Sequence, residues 1–171
     1  MDAISLEKKS KEAVVESLKD AADAPAGAGE LARKLATREI IASVAAAQPP
    51  SHCVIAICKG LMAGMLLLEK DLPLTALAIL NQMGVVAEAT HQDPAELMTW
   101  AMEGIAPVAK LAGEAARFAV QEASATSFMG AGEIFSKACE TAGALDEGRD
   151  RAGQRRRRRP ARQRGENTLR S

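Results

Sequence analysis

The stretch from residue 53 to residue 89 constrains the fold of this chain most, because it is the most apolar part of the sequence. From residue 53 to residue 68, apolar side chains occur on every side of a helix, which predicts that this helix is buried all round. Asp71 and Pro73 then predict the start of a second helix. We therefore predict a buried helical hairpin over residues 53–89 that turns at residues 69–71.

An apolar stretch of this length also suggests a pair of membrane-spanning helices. Each helix of the hairpin offers only about 16 apolar positions, whereas a span needs about 20. Lys59 would lie in the middle of the first helix, where a charge is costly in a bilayer. We favour a buried hairpin in a soluble protein, and we do not expect a membrane partner.

The composition favours an all-α fold. Tyr is absent and only four residues are aromatic, which removes most of the usual strand formers. The 35 Ala residues equal in number the Leu, Ile, Val and Phe residues together, so we expect a core of closely approaching helices. We predict six to seven helices over residues 1–145, arranged around the hairpin as a helical bundle or as an irregular α-array.

Recurring glycines keep the α-array as an alternative to a closed bundle. Gly60-Leu61, Gly84-Val85 and Gly104-Ile105 recur within predicted helices at intervals of 24 and 20 residues. Repetition of one short helix would produce this kind of spacing, although a true repeat needs a fixed period.

Small residues form a line on the first helix of the hairpin: Ala56, Gly60, Ala63 and Gly64. Each glycine costs about 1 kcal/mol in a helix interior relative to alanine. Close helix packing would offset that cost. We therefore predict a helix-packing groove here, filled by another helix of this chain or by a second copy.

Amphipathic helices are predicted around the hairpin, each with apolar residues at helical spacing on one face. The residues predicted to face inward are, in chain order, Ile4, Val14, Val15, Leu18 and Ala22 in a helix over residues 4–22; Leu31, Leu35, Ile41, Val44 and Ala45 in residues 30–48; Ala76, Ile79, Leu80, Met83, Val86 and Ala87 in the second helix of the hairpin; Leu97, Ala101 and Ile105 after residue 94; Val108, Leu111, Ala112, Ala115 and Ala119 after residue 107; and Ile134, Phe135 and Ala138 in a last helix.

Local signals predict where these helices begin and end. Residues 24–29, which combine one proline with two glycines, predict a loop or hinge. Ser51 is the expected N-cap of the first hairpin helix. Residues 93–96, Asp-Pro-Ala-Glu, predict a capping box at the start of the next helix. Pro107 is expected to kink or restart that helix.

No catalytic, cofactor-binding or metal-binding constellation stands out. Cys53 and Cys58 are five residues apart and lie on different faces of a helix, while zinc needs about four ligands. We interpret them, together with Cys139, as small buried hydrophobic residues. His91, near a helix end, is expected to complement the helix dipole. The protein is therefore not expected to be an enzyme, and the sequence identifies no small-molecule substrate.

A sharp change of composition near residue 148 divides the chain. Residues 1–148 hold 12 Lys or Arg against 20 Asp or Glu, whereas residues 149–171 hold 10 Arg against 2 acids. Residues 146–171 have too little apolar content to fold, so we predict a disordered tail. Five consecutive residues of the tail could contact a polyanion: Arg155, Arg156, Arg157, Arg158 and Arg159. Arg, Gly, Ala and Pro all have GC-rich codons, so a frameshifted or divergent extension is an equal alternative to a genuine basic arm.

These observations favour a non-catalytic helical interaction protein that forms homo-oligomers or binds another helical protein. A cytoplasmic location is expected, because the first residues lack an apolar run and the three cysteines are odd in number. A first alternative is a coat of amphipathic helices on a lipid or polyester surface. In composition the chain resembles bacterial phasins, which are also Ala-rich, helical and poor in Tyr and Cys. A second alternative is nucleic-acid binding, which would depend wholly on the tail.

Overall fold

The structure is a computed structural model that describes residues 2–142. These residues form seven α-helices and no strand, which confirms the predicted all-α class. The helices are α1 (Ala3–Leu18), α2 (Ala24–Ala45), α3 (Ser51–Leu67), α4 (Leu72–Thr90), α5 (Pro94–Leu111), α6 (Glu114–Ser127) and α7 (131–142). The predicted boundary at residue 145 and the predicted Arg-rich tail lie outside the described residues.

The first six helices are arranged in two layers. α1, α3 and α5 pack side by side in one layer, called here the odd layer, and α2, α4 and α6 pack side by side in the other, the even layer. α7 packs on α5, since Cys139 Sγ lies 3.9 Å from the carbonyl oxygen of Ala106. The chain crosses between the layers after each helix, and the packed helices form an all-α helical bundle.

The predicted apolar hairpin supplies the central helix of each layer. α3 packs chiefly against α1 and α5, and α4 packs chiefly against α2, so the two helices contact these neighbours more than each other. The residues of α4 predicted to face inward are all buried: Ala76, Ile79, Leu80, Met83, Val86 and Ala87. The hairpin is therefore real as a turn of the chain, but its helices belong to different layers.

Glycine brings the helices of the odd layer together in a repeated way. A Cβ atom on Gly60 of α3 would overlap the carbonyl oxygen of Glu7 in α1, and a Cβ atom on Gly104 of α5 would lie 2.5 Å from the carbonyl oxygen of Ile55 in α3. Glu7 and Ile55 are 48 residues apart in the sequence. The first residues of α1 and α3 are also 48 residues apart, so Glu7 and Ile55 hold the same position in their helices. Gly60 and Gly104 thus each lie against the fifth residue of the preceding helix of the odd layer.

The buried stripe of α1 differs from the predicted one at both ends. It consists of residues four apart: Leu6, Ser10, Val14 and Leu18. Ile4, predicted to face inward, is 82% exposed because it lies about 200° around the helix from Leu6. Ala22 was also predicted inward, but α1 ends at Leu18 and Ala22 is exposed.

The predicted loop at residues 24–29 is wrong, because these residues form the first turns of α2. Asp23 caps the helix by accepting a hydrogen bond from the Ala26 amide at 3.1 Å, and Pro25 fits in the first turn. Gly29 is required by close packing, since a Cβ atom there would lie 2.8 Å from the carbonyl oxygen of Ala78 in α4.

The buried face of α2 is also different from the predicted one. It is a stripe of small residues ending in one large residue: Ala24, Ala28, Gly29, Ala32, Ala36 and Ile40. Ile41 and Val44, predicted inward, are 56% and 54% exposed, and Ala45 is exposed as well. The small residues form the buried face because they let α2 approach the α4 backbone closely, whereas larger side chains would keep the two helices apart.

Two predicted boundaries of the later helices also change. Ser51 is the first residue of α3 rather than its N-cap, and no side chain caps that end within residues 2–142. α5 continues through Pro107, and the chain breaks instead at Gly113, whose φ of +114° suits glycine. Asp93 does cap α5, because its carboxylate accepts a hydrogen bond from the Ala95 amide at 2.7 Å.

The break at Gly113 reorients α6 relative to the predicted face. The residues that α6 buries are Val120 and Ser124, whereas Leu111, Ala115 and Ala119, which were predicted inward, are exposed. In α7 the prediction is confirmed for Phe135 and Ala138, which are buried, while Ile134 is half-buried.

Candidate interaction surface

The predicted groove on α3 is occupied by α1 of the same chain. Gly60 lies against Glu7, and a Cβ atom on Gly64 would lie 2.8 Å from Val14 Cβ. Of the two alanines in the groove, Ala56 is buried and Ala63 is half-buried. Because α1 fills the space beside both glycines, this groove is not open to a second copy of the protein.

One ion pair fixes the position of the only charge within α3. Lys59 Nζ lies 3.1 Å from a carboxylate oxygen of Glu7 in α1. The Lys59 side chain is 41% exposed and the Glu7 side chain is 34% exposed. This contact explains how a lysine is accommodated in the middle of the most apolar helix. Glu7 also packs against Gly60, so the ion pair and the close packing both hold the same turn of α1 against α3.

The three cysteines are buried, and burial disfavours their thiolates. Burial raises the pKa of the Cys58 thiol to about 12, with a smaller contribution from the nearby Cys53. Burial also raises the pKa of Cys53 and, against the opposing charges of Arg117 and Lys110, that of Cys139. Neutral buried thiols are poor nucleophiles and poor metal ligands.

No three His, Cys, Asp or Glu side chains within residues 2–142 are placed to hold a metal ion. His52 is exposed, and His91 is the exposed left-handed residue that ends α4, with φ of +55°. A shallow depression on α1 is lined by residues of that helix alone: Lys11, Glu12, Val15 and Glu16.

Large apolar side chains are exposed along the even layer. They are Ile41 and Val44 of α2, Leu74 and Val85 of α4, and Phe118 of α6, each 50% to 63% exposed. In the odd layer, within the described residues, large exposed apolar side chains occur only in the first or last turn of a helix: Ile4, Leu67 and Leu111. The apolar character of the even layer is therefore not confined to helix ends.

α4, at the centre of the even layer, presents a nearly uncharged outer face. Its 19 residues include a single charged one, Glu88. The exposed positions of this face are Leu74, Asn81, Gly84, Val85, Glu88 and Ala89. Sequence reasoning placed Asn81 and Glu88 outward but missed the exposed Leu74 and Val85. The low charge of α4 was the signal that could have revealed them, because an ordinary solvent face carries more charge.

Gly84 differs from the other glycines inside helices. A Cβ atom on it would have no atom of residues 2–142 within 4 Å, apart from the helix's own nearby backbone. At Gly29, Gly60, Gly64 and Gly104, by contrast, a Cβ atom would lie closer than 3.0 Å to a neighbouring helix. The space in front of Gly84 is therefore open within the part of the chain that the structure describes.

The helices on either side of α4 carry opposite net charge. α2 contains three basic and two acidic residues: Arg33, Lys34, Arg38, Glu30 and Glu39. α6 contains Glu114, Glu122 and Arg117, of which the arginine bonds Glu114 at 2.9 Å. α4 contacts both helices, while α2 and α6 do not contact each other in the described structure, so they lie on opposite sides of α4.

α4 is also the one helix within residues 2–142 that is long and apolar enough to cross a membrane. In its most apolar 18-residue window, 44% of the residues are buried inside the molecule. The buried part includes Ala76, Ile79 and Met83, on the side of the helix opposite the exposed face.

No protein-family model, curated protein or solved structure matches this chain. The even layer, with its exposed apolar side chains and neutral centre, is the candidate interaction surface.

Proposed function

We propose that the protein is a non-catalytic helical interaction protein of the cytoplasm that self-associates. The observation that supports this proposal is the set of five large apolar side chains exposed on the even layer. A single exposed apolar residue is ordinary on a protein surface, whereas apolar residues that share an exposed face mark an interaction site. Leu74 and Val85 are 11 residues apart and lie on the same exposed face of α4. Burying them against another protein would remove their apolar surface from water.

The charge distribution gives further support. Protein interfaces are depleted of charged residues at their centre and carry polar residues at the rim. α4 has one charged residue, while the helices on both sides of it carry charges along their exposed faces. The even layer therefore has the composition of an interface centre flanked by a polar rim.

Sedimentation equilibrium of the full chain tests self-association. Across a wide concentration range, we expect the average mass to rise from that of the 18.0 kDa monomer to that of a dimer. Light scattering after gel filtration should give the same masses. A strict monomer at the highest attainable concentration would contradict the proposal.

A coat on a lipid or polyester surface is a second candidate, favoured by the exposed apolar side of α4. The length and hydropathy of this helix are sufficient for contact with an apolar phase. Flotation with lipid vesicles and with polyester granules tests this candidate. Recovery of the protein in the floating fraction, with no self-association in the same buffer, would favour it over the first proposal.

Nucleic-acid binding is a third candidate, supported by the five consecutive arginines at 155–159. Binding that depends on phosphate contacts should weaken steeply with salt. Deletion of residues 149–171 should then abolish it, and unchanged binding would exclude this role for the tail. Sequencing the gene through codons 143–155 would decide whether the tail is in frame.

A further inference from the structure

We propose that the partner of the even layer is a second copy of this chain, docked face to face so that α4 lies against α4. This inference rests on the proposed self-association and names the surface that carries it. A two-fold axis running along α4 places the α2 of each copy opposite the α6 of the other. Such an interface is isologous, as in most homodimers.

Gly84 supplies the first argument. Glycine in a helix interior costs about 1 kcal/mol relative to alanine. Inside this chain that cost coincides with close helix approach at Gly29, Gly60, Gly64 and Gly104. At Gly84 no described atom of the chain takes that place. A helix from a second copy would occupy the open space as α1 occupies the space beside Gly60.

The neutral face of α4 supplies the second argument. An isologous contact brings each residue near the same residue or its neighbours in the other copy, so charges at its centre would repel their own counterparts. Leu74, Asn81 and Val85 are uncharged, whereas Glu88 is the single acid on this face and would lie opposite its own counterpart near the C-terminal end of the contact. Leu74 and Val85, 54% and 50% exposed in the isolated chain, would be buried in the dimer.

Charge complementarity supplies the third argument and decides the orientation. α2 carries one net positive charge and α6 one net negative charge. The two-fold axis along α4 brings these opposite charges together twice. An axis across the helices would instead place α2 against α2 and α6 against α6, which pairs like charges.

The first test places a charge at the centre of the proposed interface. Val85→Glu should raise the dimer dissociation constant at least about tenfold, because an unpaired carboxylate would be buried in the contact. Ile4→Glu is the matched control: it replaces a branched aliphatic residue that is 82% exposed on α1, outside the even layer. We expect the control to dimerise like the wild type, and both variants to keep the wild-type thermal midpoint at concentrations where the chain is monomeric.

The second test exchanges charge between the two flanks. Lys34→Glu on α2 and Glu122→Lys on α6 should each weaken dimerisation about two- to fivefold, as expected for exposed charges. The double variant should recover much of the wild-type affinity, because opposite charges again face each other. Losses that simply add in the double variant would overturn the proposed orientation.

The outcomes separate this inference from the proposed function. If the wild type dimerises and Val85→Glu has no more effect than Ile4→Glu, self-association stands but the even layer is not its surface. If the wild type remains monomeric, self-association and this inference both fail. A monomeric wild type that floats with lipid vesicles, and loses flotation on Val85→Glu, would assign the same face to a lipid surface instead.

Discussion

α3 and α4 come from the same apolar stretch, yet they have different surroundings. α3 is flanked by α1 and α5, and its exposed residues, His52 and Leu67, lie at its two ends. α4 is flanked by α2 and α6 in its layer, and it leaves six residues exposed along its length. Both helices have a glycine near the middle. The space beside Gly60 of α3 is filled by α1, whereas the space beside Gly84 of α4 is open within the described residues.

This difference shows that an apolar helix is buried only as far as its neighbours cover it. The helices α1 and α5 approach α3 so closely that glycine is needed at the points of contact. In the even layer α2 packs on α4 in a similar way through Gly29, but the outer side of α4 receives no helix of residues 2–142. The uncovered side is where we place the second copy.

The same substitution at the two glycines should have opposite effects on stability, and the effect at Gly60 should be the larger. Gly60→Ala forces a methyl group against the Glu7 carbonyl and Ser10 Cβ, and we expect it to lower the free energy of unfolding by about 2–3 kcal/mol. Urea unfolding monitored by circular dichroism measures this. A variant as stable as the wild type would show that α1 does not pack on Gly60 as described.

The enclosure of α3 can be measured through the Cys58 thiol. Its pKa, about 12 in the folded chain, exceeds the ordinary value of 9.0, so between these pH values the unfolded chain loses the proton while the folded chain keeps it. Stability should therefore fall as pH rises above 9, by up to about 1.4 kcal/mol per pH unit from this group. Cys58→Ala should lack that contribution. Parallel pH profiles of the two proteins would argue against deep burial of the thiol.

Gly84→Ala should stabilise the monomer, by up to about 1 kcal/mol, because alanine is the better helix former and its methyl group meets open space. In the proposed dimer the same methyl group lies in a close contact, so association should weaken. Thermal unfolding at low concentration and sedimentation at high concentration measure the two effects. A destabilised monomer would show that the space before Gly84 is already filled within the chain.

The smallest expected effect concerns the charge within α3. Lys59→Met keeps an apolar stem but removes the ion pair with Glu7, and we expect a loss of about 0.5 kcal/mol, as for partly exposed pairs. A double-mutant cycle with Glu7→Gln isolates the coupling between the two side chains. A coupling free energy of zero would indicate that glycine contacts alone position α1 on α3.

Much of the fold could be predicted from residue spacing. The all-α class, the turn between α3 and α4, and the buried face of α4 follow from apolar periodicity, since Ala76, Ile79 and Met83 recur at helical spacing. The start of α5 follows from Asp93 and Pro94, because a cap depends on adjacent residues alone. These features are local, so a single sequence contains them.

The wrong predictions concern the start of one helix and the faces that helices bury. Which face is buried depends on contacts between residues that are distant in the sequence. The error at residues 24–29 was local, because these residues resemble a loop but Asp23 caps them as the start of α2, a signal of the same kind as Asp93. Ile41 and Val44 were expected to be buried because they are large and apolar, whereas the stripe of alanines permits closer approach and is buried instead. Larger apolar side chains are more hydrophobic and are therefore predicted to be buried, whereas close helix packing favours small side chains at the contact.

The sequence by itself determined that this chain forms helices, that the stretch over residues 53–89 makes two of them, and that small residues line one side of the first. Only the tertiary structure decided that α1 fills that side, that the two helices belong to different layers, and that the outer face of α4 stays exposed. The physical reason is that helix formation depends on neighbours along the chain, whereas the burial of a face depends on which other helix can approach it closely.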